Sequence, residues 1–247
     1  MNKKLSMAVA GAVMAFGASA ANAGITIPAG DWTIDIGGNV NTFYTRTNAD
    51  GALQTNGDDV QNVRTGLLPS AIGFGGKTRQ NDLDIAFQFT FFVGADDNNG
   101  GVSAGNNSLN VRQAFGSFGD ASWGTIKFGR DLGIYGSDAI LSDMTLLGVG
   151  VGATGTGGSS TLGRIGSGYI YADWVGQISY ASPNWNGFSF AVGLRDPWTT
   201  GSATARNDDL GFEGKATYEW AGDVSGKVWL GAISQKIDDA FYVCNTI

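Results

Sequence analysis

The sequence predicts an all-β protein that crosses a membrane as an antiparallel up-and-down β-barrel. Three observations lead to this prediction: strands in which apolar and polar residues alternate, connections that are alternately long and short, and an N-terminus typical of exported proteins. The 247-residue chain contains 40 glycines and only four prolines, a composition typical of strands separated by many turns. Each of the three observations rests on particular stretches of sequence.

The N-terminus has the three parts of a secretory signal peptide. Lys3 and Lys4 precede an apolar run over about residues 5–18, and small residues follow as far as Ala23. A basic start, a short apolar run and an A-x-A site direct a chain to export. We therefore predict a signal peptide over residues 1–23, export through the Sec pathway and a β-barrel domain over residues 24–247. No later stretch reaches the roughly 20 apolar residues of a membrane-spanning helix.

Strand positions follow from a period of two along the chain. In the clearest strand, Leu83, Ile85, Phe87 and their odd-numbered successors are apolar, whereas the residues between them are mostly polar or small. Such alternation places one set of side chains on each face of a sheet. Nine strands are predicted in this way, at about residues 32–45, 66–76, 83–93, 108–118, 122–130, 170–182, 187–195, 210–220 and 224–234.

The connections between these strands distinguish two kinds of β protein. A soluble sandwich with one wet face would explain the alternation of any single strand. Long connections at residues 46–62, 94–107, 131–168 and 195–209, however, alternate with short turns, and outer-membrane barrels have long loops at one end and short turns at the other. In a barrel the apolar side chains face lipid and the polar ones face a wet lumen, and the sheet must close because lipid offers no hydrogen-bond partners.

Composition excludes several other functions. The chain has no histidine, which removes the commonest general base and metal ligand. Its one cysteine, Cys244, cannot form an internal disulfide or a cysteine-based zinc cluster. A formal net charge of −7 argues against nucleic acid as a partner, because the phosphates would be repelled. No catalytic residue, metal site or cofactor is predicted, and the protein is not expected to be an enzyme.

Two stretches carry a resemblance to a known family. The strand, turn and strand VRQAFGSFGDASWGTIKFGRD, followed by a long third loop, and the later ISYASPNWNGFSFAVGL resemble the general trimeric porins of Gram-negative outer membranes, especially the beta-proteobacterial type. The resemblance implies a water-filled channel for passive diffusion of small hydrophilic solutes and ions. It also implies sixteen strands in full-length relatives, a homotrimer, and contact with outer-membrane lipid and lipopolysaccharide.

In such porins the third loop folds back into the barrel and narrows it, with acids on the loop facing basic residues of the wall. The resemblance therefore implies a constriction loop over residues 131–168. Opposed acidic and basic groups across confined water bias ion selectivity. By resemblance, the acidic side consists of Asp138 and Asp143, and the basic side of Arg112, Arg130 and Arg164.

Strict alternation along residues 122–130 leaves the choice of one basic residue open. It places Lys127 opposite Ile126 and Phe128, and Arg130 on the same side as Phe128, unless the strand bends as it enters the loop. Lys127 is therefore a second candidate for the basic residue that lines the pore on this strand.

The C-terminus and the overall function leave alternatives. Nine strands are fewer than sixteen, so the chain is expected to be truncated at its C-terminus, and a tenth strand at about residues 237–245 would restore an even number. The alternative to a channel is a non-channel envelope β-barrel, either an adhesin or a structural protein, whose lumen would be filled by side chains.

Overall fold

The computed structural model describes residues 24–48, 59–94, 109–143, 146–149, 172–197 and 209–236, so the predicted signal peptide lies outside the described residues. Twelve strands and one short helix, α1 (Ser137–Leu141), make up the described part of the chain. The strands are β1 (Ile25–Ala29), β2 (Trp32–Asn39), β3 (Thr42–Asn48), β4 (Asp59–Thr65), β5 (Ser70–Gln80), β6 (Leu83–Val93), β7 (Leu109–Asp120), β8 (Gly124–Leu132), β9 (Trp174–Ala181), β10 (Phe188–Arg195), β11 (Gly211–Trp220) and β12 (Gly226–Ser234).

Ten of these strands form one sheet in the order β1-β2-β5-β6-β7-β8-β9-β10-β11-β12, and β3 and β4 form a separate hairpin. Every neighbouring pair is antiparallel. Apart from the excursion through β3 and β4, each strand pairs with the next along the chain. The predicted all-β, up-and-down architecture is confirmed.

Short and long connections emerge from opposite ends of the sheet. The short turns lie at residues 30–31, 81–82, 121–123, 182–187 and 221–225, and the long connections at residues 40–69, 94–108, 133–173 and 196–210. In one of the two two-residue turns, Asn81 and Asp82 have φ values of 50° and 63°, the left-handed conformation that a two-residue hairpin loop of type I′ requires. The alternation predicted from the sequence is therefore present in the fold.

The strand count and two boundaries differ from the prediction. The described part of the chain holds twelve strands and not nine, for three reasons: β1, which carries Pro28, was missed; β4 lies largely in residues 46–62, which were predicted as a connection; and the first predicted strand is split in two. β1 lies at the edge of the ten-stranded sheet, where a proline is tolerated. The first predicted strand, residues 32–45, is split because Asn41 binds elsewhere: its side-chain amide donates to the Leu68 carbonyl at 2.7 Å and its backbone N–H to Ser70 Oγ at 2.9 Å. These bonds also explain why β5 begins at Ser70. The suggested strand at residues 237–245 lies outside the described residues.

One face of the sheet is apolar and exposed. Phe74 of β5 stacks on Phe89 of β6 with ring centroids 5.3 Å apart, and Ile178 of β9 and Leu230 of β12 are 59% and 78% exposed. Aromatic and aliphatic side chains at alternating positions are what a lipid-facing wall requires. We call this side the outer face.

The opposite face, which we call the inner face, is polar and hydrogen-bonded across strands. Gln88 donates to Thr90 Oγ1 at 3.0 Å, Thr90 donates to Gln113 Oε1 at 2.7 Å, and Gln113 donates to Asp131 Oδ1 at 2.9 Å. This chain of bonds joins β6, β7 and β8 and satisfies polar groups that would otherwise be costly to bury.

Within the described residues, no helix is both long enough and apolar enough to pass through a membrane.

Candidate functional site: the loop between β8 and β9

The long connection between β8 and β9 begins and ends at a narrow neck. The backbone N–H of Gly133 donates to the Asp173 carbonyl at 2.8 Å, so the two ends of the loop are joined to each other. Between them, residues 133–143 and 146–149 are described. We call the strands of the ten-stranded sheet the wall. The neck of the loop consists of Gly133, Tyr135, Ala172 and Asp173 and of the wall groups that bind them.

The first residues of the loop turn over the inner face of the sheet. Ile134 lies above Gly193 of β10: a Cβ added at Gly193 would stand 3.1 Å from Ile134 Cδ1. Tyr135 likewise lies above Gly231 of β12, whose added Cβ would stand 3.1 Å from the tyrosine ring. Because these two wall positions carry no side chain, the loop can lie directly on the sheet.

A buried ion pair on the wall contacts both ends of the loop. Arg195 Nη1 and Glu213 Oε2 are 3.6 Å apart, and both side chains are fully buried. Glu213 Oε2 also accepts a hydrogen bond from the Tyr135 backbone N–H at 3.1 Å. Arg195 Nη1 donates to the Ala172 carbonyl at 3.5 Å. The pair therefore binds the neck at the chain's entry to the loop and at its exit.

The helix α1 brings an acid against two lysines of the wall. Asp138 Oδ2 lies 2.6 Å from Lys215 Nζ of β11, and Asp138 Oδ1 lies 2.6 Å from Lys227 Nζ of β12. Lys215 also donates to Ser137 Oγ at 3.2 Å. The Asp138 side chain is buried, whereas the lysine side chains are 23% and 41% exposed. We call Asp138, Lys215 and Lys227 the tip cluster.

The environment of Asp138 keeps its carboxyl group ionised. Burial alone would raise its pKa, but the hydrogen bonds from Lys215 and Lys227, aided by their positive charges, outweigh burial and hold the pKa below its ordinary value. Asp138 is therefore negatively charged at neutral pH. Lys227 Nζ also lies 3.5 Å from Glu219 Oε1, so the two lysines are balanced by two carboxylates, those of Asp138 and Glu219.

After α1 the loop runs back across the sheet. The backbone N–H groups of Leu67 and Leu68, just before β5, donate to the carbonyls of Gly148 and Leu146 at 2.9 and 3.2 Å. The loop thus leaves β8, touches β11 and β12 on one side and reaches the approach to β5 on the other. It crosses the inner face instead of extending away from the sheet.

Lys127 and Arg112, two of the predicted basic residues, lie on the inner side. Lys127 forms an ion pair with Asp131 of its own strand. Arg112 occupies a β-bulge of β7, because Thr90 pairs with Gln113 while Phe91 pairs with Val111. The bulge leaves Arg112 buried, with its guanidinium 4.4 Å from the centre of the Phe92 ring. These contacts keep both cations beside the polar inner face.

Arg130 is placed differently from the sequence prediction. β8 stays in register with both neighbours through Arg130, which pairs with Ala114 and Gly176. Arg130 is exposed on the side of Phe128, opposite Lys127. The bend that would have turned it inward is not present, so the structure does not bring Arg130 to the inner face.

The other two predicted residues are less fully described. Asp143 is half-buried two residues beyond α1, and its carbonyl accepts a hydrogen bond from the Leu146 backbone N–H at 3.2 Å. The tip cluster is built on Asp138 and not on Asp143. Arg164 lies outside the described residues.

Four wall residues of the site were not predicted: Arg195, Glu213, Lys215 and Lys227. Three of them, Arg195, Glu213 and Lys215, stood at polar positions of strands recognised in the sequence. A charged residue on the polar side of a strand is the signal that could have identified them. Alternation does not tell which of these charges the loop will meet. Among the described residues, no group of three or more metal-binding side chains occurs.

Comparison with known proteins gives two positive findings. A family model described as Gram-negative porin matches residues 8–244. Among solved structures, 57 chains are significantly similar. One is an anion-selective porin from Comamonas acidovorans, with a TM-score of 0.57 and 20% sequence identity over 83% of this chain and 58% of that porin. This chain thus spans 58% of the length of that porin, and at this identity the likeness shows the fold. No curated protein sequence matches significantly.

Proposed function

Because the chain belongs to the Gram-negative porin family, we propose that it forms a water-filled channel for passive diffusion of small hydrophilic solutes and ions. The family supports an outer-membrane location. We further propose export through the Sec pathway, with residues 1–23 as the signal peptide, assembly as a homotrimer, and contact with lipid and lipopolysaccharide through the outer face. The proposal includes no catalytic role.

The path of the loop is the observation that carries this proposal. The loop crosses the inner face from β12 to the segment before β5, with polar and charged side chains beneath it. A loop in this place would narrow a lumen lined by the inner face. We therefore propose that the loop over residues 131–168 is the constriction, with Asp138 and Asp143 on the loop and Lys127, Arg112, Lys215 and Lys227 on the wall.

The comparison with known proteins supports a preference for anions. The tip cluster itself is balanced, because Glu219 Oε1 lies 3.5 Å from Lys227 Nζ and adds a second carboxylate. The similar solved porin is described as anion-selective. We propose a modest preference for small anions over cations.

Recording from planar lipid bilayers tests the proposed function. A channel should give stepwise increases in current, with a reversal potential under a salt gradient that indicates anion preference. A non-channel envelope barrel, the alternative function, would insert without conductance steps. Protease protection shows whether the protein is inserted. If inserted protein gives no conductance steps, the proposal of a channel is contradicted.

A further inference from the structure

We infer that Arg195 and Glu213 are positioning residues of the channel: this buried ion pair holds both ends of the loop against the wall and so determines how far the loop reaches across the inner face. The inference rests on the proposed function for its effect on current, but the part that concerns the loop can be tested separately. Neither residue lies in the tip cluster, and neither was predicted from the sequence as a site residue.

The contacts of the pair indicate this role. Glu213 Oε2 accepts the Tyr135 backbone N–H at 3.1 Å, and Arg195 Nη1 lies 3.5 Å from the Ala172 carbonyl. Tyr135 and Ala172 stand within two residues of the Gly133–Asp173 bond that closes the neck. One ion pair therefore holds the entry and the exit of the same loop.

The sheet itself does not need the pair. β10 and β11 are already joined by an unbroken ladder of eight residue pairs, from Phe188 and Tyr218 to Arg195 and Gly211. Burying two charges is expensive, and a buried ion pair is often no more stable than apolar side chains of similar volume. The contacts that apolar side chains could not replace are those to backbone groups: those to Tyr135 and Ala172 of the loop, and the bond from Arg195 Nε to the adjacent Asp196 carbonyl at 3.2 Å.

This reasoning gives a double variant that separates the two roles. Arg195→Met together with Glu213→Leu removes both charges, keeps comparable volume and leaves no unpaired buried charge. If the pair positions the loop, the sheet should remain folded while the loop loosens. Arg195→Met together with Glu213→Gln is the conservative variant, because it also leaves no unpaired buried charge and its amide oxygen can still accept the Tyr135 N–H. Asp209→Asn is the control, since Asp209 is exposed and pairs with Lys236 at 3.2 Å, away from the loop.

The first measurement is amide hydrogen exchange of the folded protein in lipid or detergent. In the double variant we expect the Tyr135 amide to exchange about tenfold faster or more, the factor that corresponds to losing a hydrogen bond to a charged acceptor. The amides of β10 and β11 should keep their protection. Arg195→Met with Glu213→Gln should show a smaller increase, and Asp209→Asn none. Unchanged Tyr135 exchange in the double variant would overturn the inference. General loss of protection in β10 and β11 would also overturn it, since the pair would then support the sheet.

The second measurement is single-channel current in planar bilayers. The double variant should show greater open-channel noise and an altered unitary conductance, while Asp209→Asn should match the wild type. A faster Tyr135 amide with unchanged current would overturn the positioning role, because the loop would be loosened without effect on the channel. If the inserted wild type itself does not conduct, the proposed function fails, and the exchange experiment alone decides whether the pair holds the loop.

Discussion

The neck and the tip cluster hold the same loop by different chemistry. At the neck, the Arg195 and Glu213 side chains are fully buried and bind backbone groups. At the tip, Lys215 and Lys227 are 23% and 41% exposed and bind a side chain. A buried pair does not tolerate the loss of one partner, because the other charge is then left in a low dielectric, whereas long, partly hydrated lysines can rearrange. The comparison suggests that the neck sets the position of the loop and the tip sets the charge beneath it.

The largest expected effect comes from removing one charge at the neck. Glu213→Leu alone leaves the Arg195 guanidinium buried beside an apolar side chain, which should cost about 3–5 kcal/mol of folding free energy. Denaturant unfolding in detergent or lipid vesicles measures this loss. Adding Arg195→Met should restore most of it. If Glu213→Leu alone is as stable as the wild type, losing one charge costs no more folding free energy at the neck than at the tip.

A second change alters the shape of the neck and leaves its charge unchanged. In Gly133→Ala the added Cβ would collide with the Ala172 carbonyl and stand 3.3 Å from Glu213 Oε2. Overpacking of this kind typically costs about 1–3 kcal/mol. We expect a lower unfolding midpoint and faster exchange of the backbone amide at position 133. Gly37→Ala is the matched control, because no atom lies within 4 Å of its added Cβ. Equal effects of the two variants would contradict the close fit of the neck.

At the tip, Asp138→Asn should change selectivity more than stability. Lys215 would keep its positive charge without a facing carboxylate and Lys227 would face only Glu219, at 3.5 Å, so the reversal potential under a salt gradient should move further toward anions. We expect a stability loss of only about 1 kcal/mol, because both lysines are partly exposed and can hydrate. An unchanged reversal potential would indicate that the tip cluster lies outside the path of the ions.

The tip should also respond to acid in a defined direction. The pKa of Asp138 in the folded protein lies below its ordinary value, so the tip contacts are fully present above that ordinary value, about 4, and are lost as the pH falls through the lowered pKa. Exchange of the α1 amides, corrected for the intrinsic rate at each pH, should therefore be constant from about pH 7 to pH 5 and rise only below about pH 4. In Asp138→Asn the rise should disappear after correction for intrinsic exchange. A rise near pH 6 would contradict this assignment.

The smallest expected effect concerns two basic residues of β8. Lys127→Met removes a cation from the inner face and leaves Asp131 without that partner, so selectivity should move slightly toward cations. Arg130→Met changes the outer side of the same strand and should leave the reversal potential unchanged. The opposite result would mean that Arg130, and not Lys127, lines the pore.

Alternation and turn chemistry predicted much of the fold because both are local. Seven of the predicted strands correspond closely to β6–β12, and each lies between turns that the sequence shows directly. The strands and boundaries that were predicted wrongly depend on contacts between residues distant in the sequence. β1 is short and carries a proline tolerated only at the sheet edge, and Asn41 ends β2 by binding the segment before β5.

For the site, the sequence determined which side chains share a face, because the period of two is a property of the extended backbone. It placed Lys127 opposite Phe128, and β8 has this arrangement. Only the tertiary structure decided which charges meet. The register of β11 and β12 places Lys215 and Lys227 on the same face, with the pair Thr217 and Trp229 between them, and the neck turns α1 so that Asp138 lies between their side chains. Such contacts depend on the folding of a long loop over a sheet, which local periodicity does not encode.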